Sequence, residues 1–331
     1  MIHCSKPSIT NLEKKYIADA VEKSDIGVGE YIQKFEKAWA DYNGYAYAVA
    51  CNSGTSALFL ALKALGIGSG DEVIVPEYTM IATAWAVTYT GATPVFVDCK
   101  NDLNIDVDKI CLTEKTKAII GVPIYGRPLD SRIYDMKIPV IDDMAEAHGI
   151  LPQGTLACFS FYGNKILTTG EGGMVLTNDE ALAEEARRYS NMYFDKERSM
   201  LHPKIGYNFR MTNIQAAIGL AQVERIQYLL KKRKEVEFLY DAFLDPHVLM
   251  PKREVVWMYD IKTKTQAATK ARLEANGIES RLGFKPMSMQ PMYYNPKYKR
   301  LNAYHWSEKI LYLPTFPDLK EDDIIKIARL V

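Results

Sequence analysis

Between residues 46 and 177 the sequence alternates short apolar runs with segments of helical periodicity. The runs hold successive apolar residues, which is typical of strands buried on both faces of a parallel sheet rather than of strands with one solvated face. The segments between them are long enough for crossover helices. The pattern therefore predicts an α/β fold with a mainly parallel central sheet between two helical layers, and its strand candidates are 46–50, 72–76, 93–98, 117–122, 139–143, 158–161 and 173–177.

The two ends of the chain differ from this alternating part. Thr10 to Glu13 reads as a capping box that starts a helix, and Glu36 to Tyr42 reads as a second helix. After Arg210 a long helix is predicted from about 213 to about 243, followed by mixed strand-like and helical pieces. We therefore expect a large domain over 1–225 and a smaller C-terminal α+β domain over 226–331.

Composition excludes several classes of protein. The 331 residues include 41 Lys+Arg and 41 Asp+Glu, and this balance argues against binding nucleic acid through bulk charge. The five cysteines are odd in number and show no CxxC spacing, which favours free thiols in a reducing compartment over disulfides or a metal site. No stretch reaches the roughly 18 apolar residues of a membrane span. We expect a cytoplasmic protein with no metal, no nucleic-acid partner and no membrane association.

Lys165 is the residue whose neighbours indicate chemistry. Ser160 precedes it by five residues at the end of an apolar run, and a glycine-rich turn at 170–173 follows it. A lysine held near a strand end can form a Schiff base with an aldehyde, provided that it is deprotonated and that the cofactor supplies an electron sink. Most lysines are solvated surface residues, so this segment by itself is ambiguous.

Three further segments would meet Lys165 at the carboxyl ends of the predicted strands. Ser53-Gly54-Thr55 starts a helix, where free amides suit a phosphate, or it is a plain helix cap. Asp143 ends an apolar strand and would need a partner such as a pyridinium nitrogen, or it caps the next helix; Asp142 is the less well placed neighbour. The segment 206–213 mixes aromatic and polar residues before the long helix, and it also reads as a loop and cap.

Together these segments resemble the sugar aminotransferases of the DegT/DnrJ/EryC1/StrS family, which use pyridoxal phosphate (PLP) in the aspartate-aminotransferase fold. The resemblance begins at 24–29, continues through 52–58 and 66–76, and reaches 313–317. It implies a fold-type-I, three-layer αβα domain with a smaller C-terminal domain. It also implies a homodimer with shared active sites.

The resemblance assigns roles residue by residue. It implies that Lys165 bonds PLP, that Asp143 pairs with the pyridine nitrogen and that Glu146 contacts the ring near its hydroxyl. It also implies that Asn208 reaches the phosphate of the neighbouring subunit's cofactor and that Arg210 takes the carboxylate of the amino donor. The residues implied to hold the phosphate of the same subunit's cofactor are Gly54, Thr55 and Ser160.

Two positions depart from the family pattern. Met80 stands where an aromatic residue usually stacks on the cofactor, and a thioether contact with the ring is weaker than stacking. Ser288 stands where a histidine often precedes the Gln-Pro near the sugar site. The second departure concerns the sugar rather than the chemistry.

The expected reaction is transfer of the amino group of L-glutamate, which leaves as 2-oxoglutarate, to a nucleotide-linked 4-keto-6-deoxy sugar. Glu146 and the segment 207–217 look most like the 4-aminating members, which favours conversion of GDP-4-keto-6-deoxymannose to GDP-perosamine. UDP- or dTDP-linked sugars are the alternatives. A dehydratase on the same fold is a further alternative, but that branch carries histidine in place of the lysine, so Lys165 argues against it. A non-catalytic binder is another, and the presence of Asp143, Ser160 and Lys165 argues against it.

Overall fold

The computed structural model describes residues 1–195, 197 and 199–331. Its α-helices are α1 Asn11–Glu22, α2 Glu30–Asn43, α3 Gly54–Ala64, α4 Ile81–Tyr89, α5 Glu180–Ser190, α6 Asn213–Glu224, α7 Ile226–Phe243, α8 Gln266–Ala275, α9 Asn302–Ser307 and α10 Glu321–Ala328. Its strands are β1 Tyr47–Cys51, β2 Glu72–Pro76, β3 Thr93–Val97, β4 Thr116–Gly121, β5 Val140–Asp143, β6 Leu156–Ser160, β7 Gly173–Thr177, β8 Tyr259–Lys262, β9 Arg281–Leu282 and β10 Ile310–Leu313.

Seven strands form the central sheet in the order β1-β7-β6-β5-β4-β2-β3. Strand β7 runs antiparallel to both of its neighbours, and the other adjacent strands pair in parallel. Strands β5, β6 and β7 are buried along their whole length, as expected for strands that are covered on both faces. Helix α3 packs on β6, β7, α4 and α5, while α6 packs on α1 and α2. The mainly parallel sheet flanked by helices confirms the predicted fold class.

The C-terminal part builds a second, smaller sheet. Its strands lie in the order β8-β10-β9 with antiparallel pairing. A separate apolar cluster lies under this sheet and includes Tyr240, Tyr259, Ile261, Leu311 and Ile324. Helices α7 and α10 pack on each other there.

The helix predicted from about 213 to about 243 is wrong as one continuous element. Helix α6 ends at Glu224, and α7 begins at Ile226. Arg225 between them leaves helical geometry, with φ −111°, and its Nη1 donates to Glu13 Oε1 at 2.7 Å. Neither glycine nor proline marks this break in the sequence. The break is accompanied instead by an ion pair with a residue distant in sequence, which a local pattern does not predict.

Other helix starts follow local chemistry. The capping box at Thr10 is confirmed, since its side chain accepts from Leu12 N and Glu13 Oε2 accepts from Thr10 N. Helix α2 starts at Glu30, earlier than the predicted 36. Within the described ranges, no helix is both long and apolar enough to span a bilayer, and no cluster of three or more His, Cys, Asp or Glu side chains could hold a metal ion.

Candidate active site

A cavity of about 530 Å³ opens where four parallel strands of the central sheet end. Thr79 follows β2, Val122 follows β4, and Asp143 and Ser160 are the last residues of β5 and β6. Ligands of open α/β sheets bind at this edge, where loops from neighbouring strands diverge. Six residues predicted from the sequence line the cavity with Lys165: Gly54, Thr55, Met80, Asp143, Glu146 and Ser160.

Lys165 lies in the turn between β6 and β7 and directs its amine into this cavity. Its backbone N donates to Tyr162 O at 2.9 Å, and Thr168 Oγ1 closes the turn by donating to Phe161 O at 3.0 Å. Burial lowers the pKa of Lys165 below that of an ordinary lysine, while the negative charges of Glu146 and Asp143 oppose the shift. Burial thus favours the free amine that attack on an aldehyde requires.

The two adjacent carboxylates of β5 point to opposite sides of the sheet, as successive strand residues do. Asp143 lines the cavity and accepts a hydrogen bond from Thr83 Oγ1 at 2.8 Å. Asp142 instead accepts from Gln153 N, Gly154 N and Tyr134 Oη, at 2.8, 2.8 and 3.0 Å. Asp142 therefore fixes the loop before β6, and only Asp143 can meet a ligand.

Glu146 is buried beside the lysine. Its Oε2 accepts from Tyr125 N at 2.9 Å. Burial raises the pKa of Glu146 above that of an ordinary carboxyl, and the charge of Lys165 opposes this rise. The carboxyl is therefore positioned to share a proton with a neighbouring hydroxyl or amine.

The start of α3 and the end of β6 form an anion cradle. Ser53 Oγ caps α3 by accepting from Ser56 N at 3.1 Å, and the first-turn amides of Gly54 and Thr55 have no acceptor within their own helix. A Cβ on Gly54 would lie 2.6 Å from Ser160 Cβ, so only glycine allows the helix start to approach this close. Amides, hydroxyls and the helix dipole converge on one spot that suits a phosphate.

The groups present fit the PLP implied by the resemblance. The cradle suits its phosphate, the buried Asp143 suits its ring nitrogen, and the amine of Lys165 suits its aldehyde. The donors required at each part of the cofactor thus line one cavity.

His148 has a structural role next to the cavity. The ring is 1% exposed, and its Nδ1 accepts from Leu167 N at 3.2 Å. Burial lowers the pKa of His148 to about 3, so the ring stays neutral and holds the turn that carries the lysine.

Asn208 and Arg210 do not line the cavity of their own chain. They alternate with Tyr207 and Phe209, whose rings stack at 5.1 Å and pack edge-on against Phe59. This alternation turns Asn208 and Arg210 outward, where both are exposed, and Arg210 Nη1 donates to Asn191 Oδ1 at 2.8 Å.

The opposite face of the cavity comes from the smaller domain and was missed by the sequence reasoning. Trp257 precedes β8, Arg281 and Leu282 form β9, and Tyr312 lies on β10. In the described part of the chain, Arg281 is the only arginine of the cavity lining. The mixed helix and strand pieces of this region carry no local motif that would have predicted the contact.

The two departures from the family pattern lie in different places. Met80 is half exposed at the mouth of the cavity, where it precedes α4. Ser288 is buried outside the cavity lining and contacts Glu77, whose Oε1 accepts from Ser288 N at 2.7 Å. Ser288 thereby joins a turn of the smaller domain to the residue that follows β2.

Comparison with known proteins gives a consistent result. Residues 7–331 match the model of the DegT/DnrJ/EryC1/StrS aminotransferase family. A GDP-perosamine synthase of Caulobacter vibrioides is 42% identical over 98% of this chain and 96% of its own length, and one of Escherichia coli O157:H7 is 39% identical over 98% and 95%.

Solved structures agree with these relatives. The putative sugar aminotransferase Spr1654 of Streptococcus pneumoniae in its PMP form superposes with a TM-score of 0.91 at 28% identity, over 98% of this chain and 96% of that one. DesV of S. venezuelae, in complex with a ketimine intermediate, superposes with a TM-score of 0.90 at 30% identity, over 96% and 92%.

Proposed function

The chain belongs to the DegT/DnrJ/EryC1/StrS aminotransferase family, and we propose that it converts GDP-4-keto-6-deoxymannose to GDP-perosamine with L-glutamate as the amino donor. The observation that supports an aminotransferase is the position of the Lys165 amine in one cavity with Asp143, Glu146 and the anion cradle. The sugar follows from the similarity to two GDP-perosamine synthases along nearly the whole chain.

PLP is the cofactor of this reaction, and it supplies an electron sink that stabilises negative charge on the substrate carbon from which a proton is removed. Lys165 would bond its aldehyde, Asp143 would hold its ring nitrogen protonated, and Glu146 would lie near its ring hydroxyl. Met80 would cover one face of the ring. The groups that would hold its phosphate within the same subunit are Gly54, Thr55 and Ser160.

Lys165 has a second task as general base and acid. Its Nζ would take the proton from the α-carbon of glutamate and later return one during formation of the amino sugar. Burial lowers the pKa of Lys165 and so favours the free amine that takes the proton, and the carboxylates of Glu146 and Asp143 stabilise the ammonium once the proton has been taken.

In addition to Lys165, the cavity lining contains one further cationic side chain among the described residues, that of Arg281. Both substrates carry anionic groups, a carboxylate on glutamate and a diphosphate on the nucleotide sugar. We assign Arg281 to one of these anions, since a guanidinium matches carboxylate and phosphate geometry. Its partner Glu279 holds it at the mouth, with Nη2 to Oε1 at 3.0 Å.

We further propose a homodimer in which Asn208 reaches the cofactor phosphate of the partner's site. The outward direction of Asn208 supports this, because its side chain does not contribute to the cavity of its own chain. The preceding segment exposes large apolar side chains that a partner would cover: Met200, Leu201 and Ile205. Arg210, in the same outward row, would then serve the partner's substrate.

The domain limits remain a proposal at 1–225 and 226–331. The break at Arg225 and the separate apolar cluster beneath the second sheet support it. We also propose a cytoplasmic location, supported by the free state of all five cysteines.

A panel of GDP-, UDP- and dTDP-linked 4-keto-6-deoxy sugars, incubated with glutamate and PLP, tests the function. We expect the mass of an amino sugar only, or fastest, with the GDP-linked substrate. Faster amination of a UDP- or dTDP-linked sugar would replace the substrate and retain the chemistry. Loss of the 3-hydroxyl without gain of nitrogen would support a dehydratase instead, and no turnover of any member would support a binder.

A further inference from the structure

A tryptophan of the smaller domain covers the amine of the candidate catalytic lysine. Lys165 Nζ lies 4.0 Å from the centre of the Trp257 ring. A cation within about 6 Å of an aromatic face is attracted by the ring quadrupole, and indole is the strongest of the aromatic side chains in this respect. The contact joins the two domains at the reacting atom.

Three contacts fix Trp257, two through its ring and one through its backbone. Its Nε1 donates to the carbonyl O of Asn164, the residue before the lysine, at 3.0 Å. Its own carbonyl accepts from Nη1 of the buried Arg233 at 2.8 Å, and its ring stacks on Tyr125 with centroids 6.1 Å apart. At 5% exposure the ring has little room to turn away.

Other charged groups also act on this amine. Burial lowers the pKa of Lys165, and the negative charges of Glu146 and Asp143 oppose this shift. The nearby His148 is neutral. The remaining ionisable side chains of the cavity lining are Tyr162, Glu171, Arg281 and Tyr312. The neutral aromatic face of Trp257 stabilises the ammonium without adding a negative charge to the cavity, whereas each carboxylate adds one.

We propose that Trp257 is a positioning residue that holds the amino group of Lys165 whenever this group is free of the cofactor, and that its ring face stabilises the protonated amine. The inference rests on the proposed role of Lys165. In each cycle the lysine is released, takes up a proton and must return to the same place. A ring anchored to the backbone of the preceding residue keeps the amine within reach, and ties the basicity of Lys165 to docking of the smaller domain.

The test measures the pKa of Lys165 in the PLP-free protein from the pH dependence of its acetylation by trace acetic anhydride, read by mass spectrometry. Tetrafluorotryptophan placed at position 257 keeps the shape and the N–H but removes the negative ring face. We expect the pKa of Lys165 to fall by about one unit. Trp257→Phe, which keeps a weaker face and loses the N–H, should give a smaller fall.

The same fluorinated residue at Trp306, which lies outside the cavity lining, is the matched control and should leave the pKa of Lys165 unchanged. Thermal unfolding of each protein verifies the fold. An unchanged or raised pKa in the folded protein fluorinated at Trp257 would overturn the inference. Failure of borohydride to attach PLP to Lys165 would instead overturn the proposed function, and this readout is independent of the first.

Discussion

One face of the cavity, from 53 to 171, presents polar groups at strand ends and at a helix start, whereas the facing side, from 257 to 312, is largely aromatic and apolar. The first face holds Lys165, Asp143 and Glu146, and the second holds Trp257, Phe284 and Tyr312. Reactive groups need backbone geometry that fixes them to within fractions of an ångström, which strand ends supply. The facing side needs shape and exclusion of water, which many sequences can provide.

This contrast makes the polar face the place where single changes should abolish the reaction. On the facing side, single changes should alter affinity or basicity in proportion to the contact removed. Four experiments test that difference, in order of decreasing expected effect.

Lys165→Ala should lower turnover by at least about 10⁴-fold, because both the attacking amine and the general base are removed. The partly buried side chain lines the cavity rather than the packed core, so thermal unfolding should stay close to that of the original chain. Steady-state amination and borohydride labelling measure the effect, and exposed Lys297→Ala is the control. Normal amination by the Lys165 variant would remove this residue from the mechanism.

Asp143→Asn should lower turnover by about 10²–10³-fold while PLP stays bound, because an amide cannot keep the ring nitrogen protonated. The adjacent Asp142→Asn should show the reverse, near-normal turnover with about 2 kcal/mol less stability, since three donors lose a charged acceptor. Rates and urea unfolding of both variants provide the comparison. Equal losses of turnover in the two variants would mean that facing the cavity does not distinguish the role of Asp143 from that of Asp142.

Arg281→Gln should raise the KM of one substrate about tenfold and leave kcat nearly unchanged, because it removes a charge-assisted contact at the mouth. The substrate affected, glutamate or the nucleotide sugar, identifies the anion that Arg281 binds. Arg132→Gln removes a similarly exposed, ion-paired arginine away from the cavity and should change neither KM. Unchanged KM values for both substrates in the Arg281 variant would contradict the assignment.

Mixing Lys165→Ala chains with Asn208→Ala chains should restore activity to about a quarter of the original, because half of the dimers become mixed and each mixed dimer has one intact site. Lys165→Ala alone should be inactive, and Asn208→Ala alone should keep partial activity. Subunit exchange is verified by native mass spectrometry of differently tagged chains. No gain after verified exchange would place Asn208 in its own subunit or limit it to supporting α6.

Much of the polar face could be predicted because its signals are local. Asp143 ends a strand that begins with apolar residues, Ser53-Gly54-Thr55 starts a helix, and Lys165 is followed by a glycine-rich turn. Strand ends that share one edge of a parallel sheet bring such segments together without further information. Trp257 and Arg281 carry no such signal, because only the packing of one domain on the other brings them to the cavity.

The sequence alone determined the alternating α/β architecture, the family and the residues of the polar face, since periodicity, caps and strand ends are encoded within short segments. Tertiary structure decided the hydrogen-bond partners of Asp142 in the loop before β6, the break of the long helix at Arg225, and the aromatic wall opposite the lysine. It also turned Asn208 and Arg210 away from the cavity of their own chain. These outcomes depend on side chains distant in sequence, whose contacts form only once the sheet and the two domains have packed.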